Sequence, residues 1–225
     1  MKKKDFHLAI ILDGNRRWAK KNHLPVAFGH RRGVENLRKL LPIFVANGIS
    51  HLTAYALSTE NLQERTANEL RNLFRLIEKF AADDAIFLEN EIRVNIFGEL
   101  RNFPNSTKKA LRNLVAKTQQ HHNLVFNLAV GYGSRAEIVR AANFFVKSGQ
   151  RATEKNFAKF LFSENQPNPD LLIRTGGKRR ISNFLLWQLA YAELYFTEKM
   201  WPEFGKKELV EALSWFHKQQ RTFGK

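Results

Sequence analysis

Asp13-Gly14-Asn15-Arg16-Arg17-Trp18 sets a lone carboxylate among two arginines, an amide and a glycine. Such a carboxylate can seat a divalent cation together with the phosphate oxygens that the cation bridges. Taken singly, the hexapeptide reads more readily as an Asx turn with a solvated basic face. Comparable chemistry recurs at Ser58-Thr59-Glu60-Asn61, at Gly131-Tyr132-Gly133-Ser134-Arg135, and from Arg174-Thr175-Gly176-Gly177 through Arg180-Ile181-Ser182. Glycines let the backbone approach a ligand, arginines grip phosphate with a planar fork, and Ser and Asn orient it. Four such stretches at one edge would make a site for an anionic ligand. Glu193 lies within Leu189-Ala190-Tyr191-Ala192-Glu193-Leu194-Tyr195-Phe196. A carboxylate in so apolar a setting calls for a partner, and an arginine or a metal ion shared with Asp13 would each serve.

Each polar stretch follows an apolar run of strand length. His7–Leu12, Leu52–Leu57, Ile92–Phe97, Leu124–Val130, Leu171–Arg174 and Leu194–Phe196 are the expected strands. Between them the spacing predicts helices over 31–45, with Pro42 as a kink or split, and over 66–90, opened by the capping box Thr66-x-x-Glu69. Further helices are expected after Pro104, from a Ser134-x-x-Glu137 cap to Val146, near 153–162, over 183–190 and over 206–219. Alternation of this kind means an α/β fold, a mainly parallel central sheet of about six strands flanked by helices. In such a sheet the polar stretches share the carboxyl-end edge, where ligands gather. No linker or repeat interrupts the chain, so residues 1–225 read as one domain.

The 225 residues include 44% apolar and 26% charged, an ordinary globular composition, with no cysteine for disulfides or thiolate chemistry. No apolar run approaches the ~20 residues of a membrane helix. The net charge of +16 calls for an anionic partner: phosphorylated small molecules, acidic lipid or nucleic acid. No nucleic-acid module is present and no nucleic acid is expected as a partner. There is no Walker phosphate loop, dinucleotide glycine fingerprint, nucleophile elbow or H-E-x-x-H zinc motif.

In these motifs the chain resembles the cis-prenyltransferase (isoprenyl transferase) family, in particular bacterial undecaprenyl diphosphate synthases. The likeness runs from about His7 to Gly224. It is carried by Ile11-Leu12-Asp13-Gly14-Asn15 with Arg17-Trp18-Ala19, Gly29-His30 with Gly33, Ser58-Thr59-Glu60-Asn61, Arg174-Thr175-Gly176-Gly177, Arg180 through Gln188, Ala192 through Phe196, and Trp201-Pro202. The resemblance implies condensation of isopentenyl diphosphate onto an allylic diphosphate such as farnesyl diphosphate, giving a cis-polyprenyl diphosphate. It implies Mg²⁺, with Asp13 and Glu193 as ligands, and Asp13 and Asn61 as catalytic residues, Asn61 taking the proton. Gly14, Asn15, Arg16, Arg17, Trp18 and His30 are expected around the allylic diphosphate. Ser58, Thr59, Glu60 and Arg65 stand beside Asn61, and Arg174, Arg180, Ile181 and Ser182 around the isopentenyl diphosphate. An apolar product tunnel is expected along helix 66–90. A homodimer, a cytoplasmic location and a peripheral contact with membrane are carried over in the same way.

The chain departs from the family pattern at several ligand-handling positions. Arg16 stands where Gly is usual and Val26 where Arg is usual. Asn61-Leu62-Gln63-Glu64-Arg65-Thr66 replaces Asn-Trp-x-Arg-Pro, so that Arg65 takes up the arginine role one residue later. Lys178 replaces Glu, and Thr222 precedes Phe223-Gly224. These departures keep one alternative in play, a catalytically weak relative acting as a binding or partner subunit; the charge alone keeps another, a basic nucleic-acid binder.

Overall fold

Leu8, Ala9, Ile10 and Ile11 show no polar alternation, and in the computed structural model, which describes residues 5–219, β1 (His7–Ile11) is buried at every position. A strand covered on both faces requires this. The other strands are β2 (His51–Ser58), β3 (Ile92–Phe97), β4 (Leu124–Tyr132), β5 (Leu171–Arg174) and β6 (Glu193–Phe196). They form one parallel sheet in the order β3-β4-β2-β1-β5-β6. Ile11 lies opposite Tyr55 on one side and Arg174 on the other. The register therefore brings the loops after β1, β2 and β5 to one edge. The strand order turns back at β1, the crevice where parallel sheets bind ligands.

Helices α1 (Asn15–Lys21) and α2 (Val26–Ala46) connect β1 to β2. α2 lays Leu37, Leu40, Leu41 and Phe44 on the first face of the sheet and runs unbroken through Pro42. The expected start at Arg31 was too late, because Pro25 precedes the first turn and its fixed φ suits that place. α1 was not expected at all. It is amphipathic only weakly and buries just Ala19. The predicted 66–90 helix is two: α4 (Ala67–Ala82) and α5 (Ala85–Glu89), parted at Asp83-Asp84, with the short α3 (Thr59–Glu64) before them. The hydroxyls of Ser58 and Thr66 cap α3 and α4 by accepting from the amides of Asn61 and Glu69. α6 (Asn105–Thr118) and α9 (Lys206–His217) join the same face. α7 (Ser134–Ser148) and α8 (Glu154–Ala158) lie between β4 and β5. The expected helix ends at Gln219 and Val146 agree within two residues; Thr222, Phe223 and Gly224 lie outside the described residues.

Two local expectations fail for one reason. Ser134 does not cap α7, since it is the first helical residue. Residues 183–190 are not helical but a chain of turns, with left-handed φ at Ser182, Asn183 and Leu185. The two segments instead bond each other: Ser134 N–H donates to the Asn183 carbonyl at 2.8 Å, and Leu186 N–H donates to the Ser134 hydroxyl at 2.9 Å. The turns thereby deliver Phe184, Leu185 and Leu189 to a second core on the opposite face of the sheet, beside Tyr55 and Leu172. Tertiary burial outweighs helix propensity here.

Gly14 makes the sharp exit from β1 possible. Its φ is +114°, and a Cβ there would lie 2.9 Å from the Cβ of Met200. Gly14→Ala is expected to destabilise the protein by about 1–3 kcal/mol, read as a lower urea midpoint with an unchanged slope. An unchanged midpoint would show that this turn relaxes freely.

Candidate active site

Asp13 is pinned before its side chain is considered. Its N–H donates to the Ile11 carbonyl at 2.9 Å, and its carbonyl accepts from the Thr175 hydroxyl at 2.7 Å and from Trp201 N–H at 3.0 Å. The carboxylate is then gripped from two sides. Oδ2 accepts from Arg174 Nη2 at 2.9 Å, and Oδ1 from Arg17 Nη2 at 3.0 Å. Arg174 ends β5 and is only 4% exposed. Its Nη1 donates to the Arg180 carbonyl at 2.5 Å and to Ser182 Oγ at 2.8 Å, and Arg180 Nε also reaches Ser182 Oγ at 3.2 Å. One buried guanidinium thus organises Asp13, Arg180 and Ser182.

A second cluster faces it from α2, α3 and α4. Arg65 donates from Nε to Asn61 Oδ1 at 3.3 Å and from Nη1 to Glu69 Oε1 at 2.8 Å, and its Nη1 lies 3.1 Å from His30 Nε2. Glu69 also lies 3.7 Å from Arg16 and 3.6 Å from His30. Burial, with Arg65 next to it, lowers His30 to about 4 against the pull of Glu69. The imidazole is therefore neutral near pH 7, and Nε2 accepts from Arg65. Glu60 sits beside Asn61. Burial pushes its carboxyl up, but hydrogen bonds from Asn183, its own backbone, Ser58 and Thr59 outweigh this and hold it below the usual range.

Between the clusters lies a cleft of about 850 Å³. Its walls include Asp13, Gly14, Asn15, Arg16, Arg17, His30, Ser58, Glu60, Asn61, Arg65, Arg174, Arg180 and Ser182, all of them expected from the sequence. Asn15 Oδ1 and Arg174 Nε are buried with no protein partner. Asn15 Oδ1 packs against Gly33 of α2, and Arg174 Nε is the unpaired donor beside Asp13. A cavity of about 80 Å³ adjoins the cleft beneath α4, lined mainly by apolar side chains such as Leu37, Leu73, Ile77 and Phe80.

Four expected residues do not line this cleft. Trp18 stacks on Phe28 and donates from Nε1 to Glu203. Thr59 turns its hydroxyl to Glu60 Oε2 at 3.1 Å. Ile181 packs on the second core. Glu193 opens β6 opposite Leu171, the far end of β5 from Arg174. It is three strand positions, about 10 Å, short of the edge where Asp13 stands, so one chain does not bring Glu193 and Asp13 together. The described residues contain no cluster of three or more His, Asp or Glu side chains. In the other direction, Glu69 and Asn183 were missed as site residues. Glu69 read as a helix cap, although Arg65 and Glu69 at i, i+4 was the available signal. Asn183, which donates to Glu60 Oε1 at 2.8 Å and accepts from Arg135 N–H at 2.9 Å, was hidden by the false helix.

The undecaprenyl diphosphate synthase family model matches residues 11–224. The chain belongs to this family. It is 43% identical over 220 residues to an isoprenyl transferase of Fusobacterium nucleatum subsp. nucleatum, covering 97% of this chain and 95% of that one. It is 41% identical to an isoprenyl transferase of Rickettsia typhi, covering 97% of each. Among solved structures, lavandulyl diphosphate synthase from Lavandula x intermedia, in complex with dimethylallyl diphosphate, superposes with a TM-score of 0.93 at 35% identity, over 97% of this chain and 98% of that one. A probable undecaprenyl diphosphate synthase from Campylobacter jejuni gives 0.83 at 32% identity, over 99% and 100%. The fold and family expected from the motifs are those found. No helix among the described residues is long and apolar enough to cross a membrane.

The neutral state of His30 has a consequence for stability. Its pKa falls from the ordinary 6.5 to about 4 on folding. Between those values the unfolded chain binds more protons, so this group's contribution is present above pH 6.5 and is lost as pH falls towards 4. His30→Asn is expected to flatten the fall in unfolding free energy over that window, measured by urea titration at stepped pH. Parallel curves for the two proteins would show that His30 does not titrate with folding.

Proposed function

We propose that the cleft joins isopentenyl diphosphate to an allylic diphosphate such as farnesyl diphosphate, forming a new carbon–carbon bond with a cis double bond and releasing diphosphate. The observation that carries this reading is one carboxylate, Asp13, held between guanidiniums from a helix and a strand, Arg17 of α1 and Arg174 of β5. Such a site offers two anionic groups separate grips a short distance apart. Arg17, Asn15 and Gly14 take the allylic diphosphate, with Arg16 and His30 at its rim. Arg174, Arg180 and Ser182 take the isopentenyl diphosphate. The allylic C–O bond breaks, its electrons leave with the diphosphate, and the isopentenyl double bond attacks the allylic carbon. The proton then lost from the condensed unit goes towards Asn61, which Arg65 orients. Fixed guanidiniums stabilise the charge that builds on the leaving group because they need no reorganisation as it forms.

The donor set suits Mg²⁺. Asp13 offers only oxygen towards a cation, and Mg²⁺ commonly binds one or two carboxylates with substrate phosphates and water. Asp13 would hold it, without Glu193 of the same chain, and it would neutralise diphosphate charge. The hydrocarbon enters the apolar cavity beneath α4. We assign a homodimer from the exposed Val139, Phe144 and Val146 of α7 and Leu194 on the outer edge of β6. A chain without cysteine that works on soluble diphosphates suits the cytoplasm.

Purified protein supplied with Mg²⁺, farnesyl diphosphate and labelled isopentenyl diphosphate should yield a ladder of lipid products that chelator abolishes. Asp13→Ala should lose at least about a thousandfold in turnover, in line with losing a group that acts on the leaving charge, while its circular dichroism is retained. Near-normal turnover by that variant, or no product from any allylic primer, would refute the reading. Phe80 closes the apolar cavity against Phe87 and Phe126, at centroid distances of 5.3 and 6.4 Å. Phe80→Ala should therefore shift the ladder to longer products, and an unchanged ladder would move the length limit elsewhere.

A further inference from the structure

The Gly131–Arg135 stretch has the composition of the other polar stretches, yet it does not line the cleft. It supports a residue that does, Asn183. Ser134 N–H donates to the Asn183 carbonyl at 2.8 Å, and Arg135 N–H donates to Asn183 Oδ1 at 2.9 Å. With its oxygen taken by a backbone N–H, the Asn183 amide has one orientation, and Nδ2 donates to Glu60 Oε1 at 2.8 Å. The backbone there has φ +59°, a conformation that Asn adopts more readily than most residues. Gly133 leaves room for the arrangement. Its own φ of −157° suits any residue, but a Cβ would stand 2.5 Å from Thr59 Oγ1 and 2.9 Å from Asn183 Nδ2. Thr59 in turn donates to Glu60 Oε2 at 3.1 Å. A side chain at 133 would therefore push aside both donors that hold Glu60.

Glu60 differs from the other carboxylates around the cleft. Asp13 accepts from Arg17 and Arg174, and Glu69 pairs with Arg16 and Arg65. The Glu64 side chain is exposed at the end of α3, with no hydrogen bond or ion pair among the described residues to place it. Glu60 is both placed and free of cations: its partners are Asn183, Thr59, Ser58 and its own backbone. A carboxylate paired with a guanidinium is a poor proton acceptor, and one held by neutral donors is a better one. Asn61 beside it is an amide, which does not keep a proton at neutral pH, and Asn61 Oδ1 already accepts from Arg65. We propose that Glu60 receives the proton lost in each condensation, and that Asn183, fixed by the Gly133–Arg135 turn, is the residue that positions it. The step rests on the prenyl-transfer reading. Once the new carbon–carbon bond has formed, the isopentenyl C3 carries the positive charge. The C2–H bond breaks, its electron pair becomes the C2–C3 double bond, and the proton passes by Asn61 to the Glu60 carboxylate and then to water.

The test is steady-state turnover of the full-length protein with Mg²⁺, farnesyl diphosphate and isopentenyl diphosphate, the last either unlabelled or deuterated at C2. Glu60→Gln keeps the shape and removes the base, and should lower kcat by about a hundredfold or more. Asn183→Asp keeps the acceptor for Arg135 N–H but sets a carboxylate against Glu60, and should lower kcat by about tenfold or more. Gly133→Ala should act in the same direction, and it carries the test of positioning if Asn183→Asp loses its circular dichroism. In all three the KM for each diphosphate should hold while the deuterium isotope effect on kcat rises, because proton loss becomes the slow step. The pair Glu60→Gln with Asn183→Asp restores a hydrogen bond with donor and acceptor exchanged, and should remain as slow as Glu60→Gln alone. Recovery of turnover in that pair, near-normal kcat in Glu60→Gln, or a loss of kcat with an unchanged isotope effect overturns the proposal. Each of those results needs product from the unsubstituted protein, whereas no product from it refutes the prenyl-transfer reading itself, so the two failures are separately visible.

Discussion

The site depends on one buried guanidinium. Arg174 ends a strand in the middle of the sheet, where a charge without a partner would be costly. Asp13 supplies the partner, and it can do so because Ile11 and Arg174 stand opposite each other in the β1–β5 ladder. Nη1 of Arg174 holds the Arg180 carbonyl and the Ser182 hydroxyl. The path of residues 176–182, including the left-handed Ser182, therefore follows from satisfying Arg174. Thr175 completes the join by donating to the Ile11 and Asp13 carbonyls. What would otherwise be a stability problem, a charge at the sheet's edge, becomes the frame of the cleft.

The facing wall solves the same problem with a different carboxylate. Glu69 accepts from Arg65, approaches Arg16 and lies beside His30, which burial keeps neutral. Each wall thus has one carboxylate serving two arginines: Asp13 serves Arg17 and Arg174, and Glu69 serves Arg16 and Arg65. Arg180 has no carboxylate partner among the described residues and bonds the Ser182 hydroxyl. Glu60 and Glu64 also line the cleft, so its five guanidiniums meet four carboxylates, counting Glu69 behind Arg65, and the positive remainder is small. The carboxylates keep the arginines in place around the cleft.

The strands were legible because burial on both faces forces continuous apolar runs, and the site was legible because polar residues follow those runs on one edge. All six strands and eleven of the expected residues stand where this logic puts them; His30 and Arg65, also in the cleft wall, were expected from the family likeness, and the Gly131–Arg135 stretch does not line the cleft. What failed had non-local causes. The 183–190 segment carries helical spacing but gives its backbone to Ser134 and buries Phe184 on the second face. Glu193 looked like a companion to Asp13, but the position of a residue along its strand is set by register, and register is not written in the strand's own sequence. α1 escaped notice because seven residues with one buried side chain leave little periodic signal.

The departures from the family pattern can be weighed in the same physical terms. Val26 removes an arginine from the first turn of α2, yet Arg16 reaches the same small cavity from α1 and stands 3.7 Å from Glu69. Arg65, one residue later than usual, still meets Asn61, His30 and Glu69 because Thr66 restarts the helix immediately after it. A diphosphate has many oxygens and is held by charge within reach, so the backbone position that supplies each arginine can drift. Asp13 and Arg174 have no such freedom. Their pairing is fixed by the strand ladder and by a buried fork whose Nη1 is committed to the Arg180 carbonyl and the Ser182 hydroxyl. The tolerant positions are those where cations approach from solvent, and the intolerant ones are those where the sheet itself holds the charge.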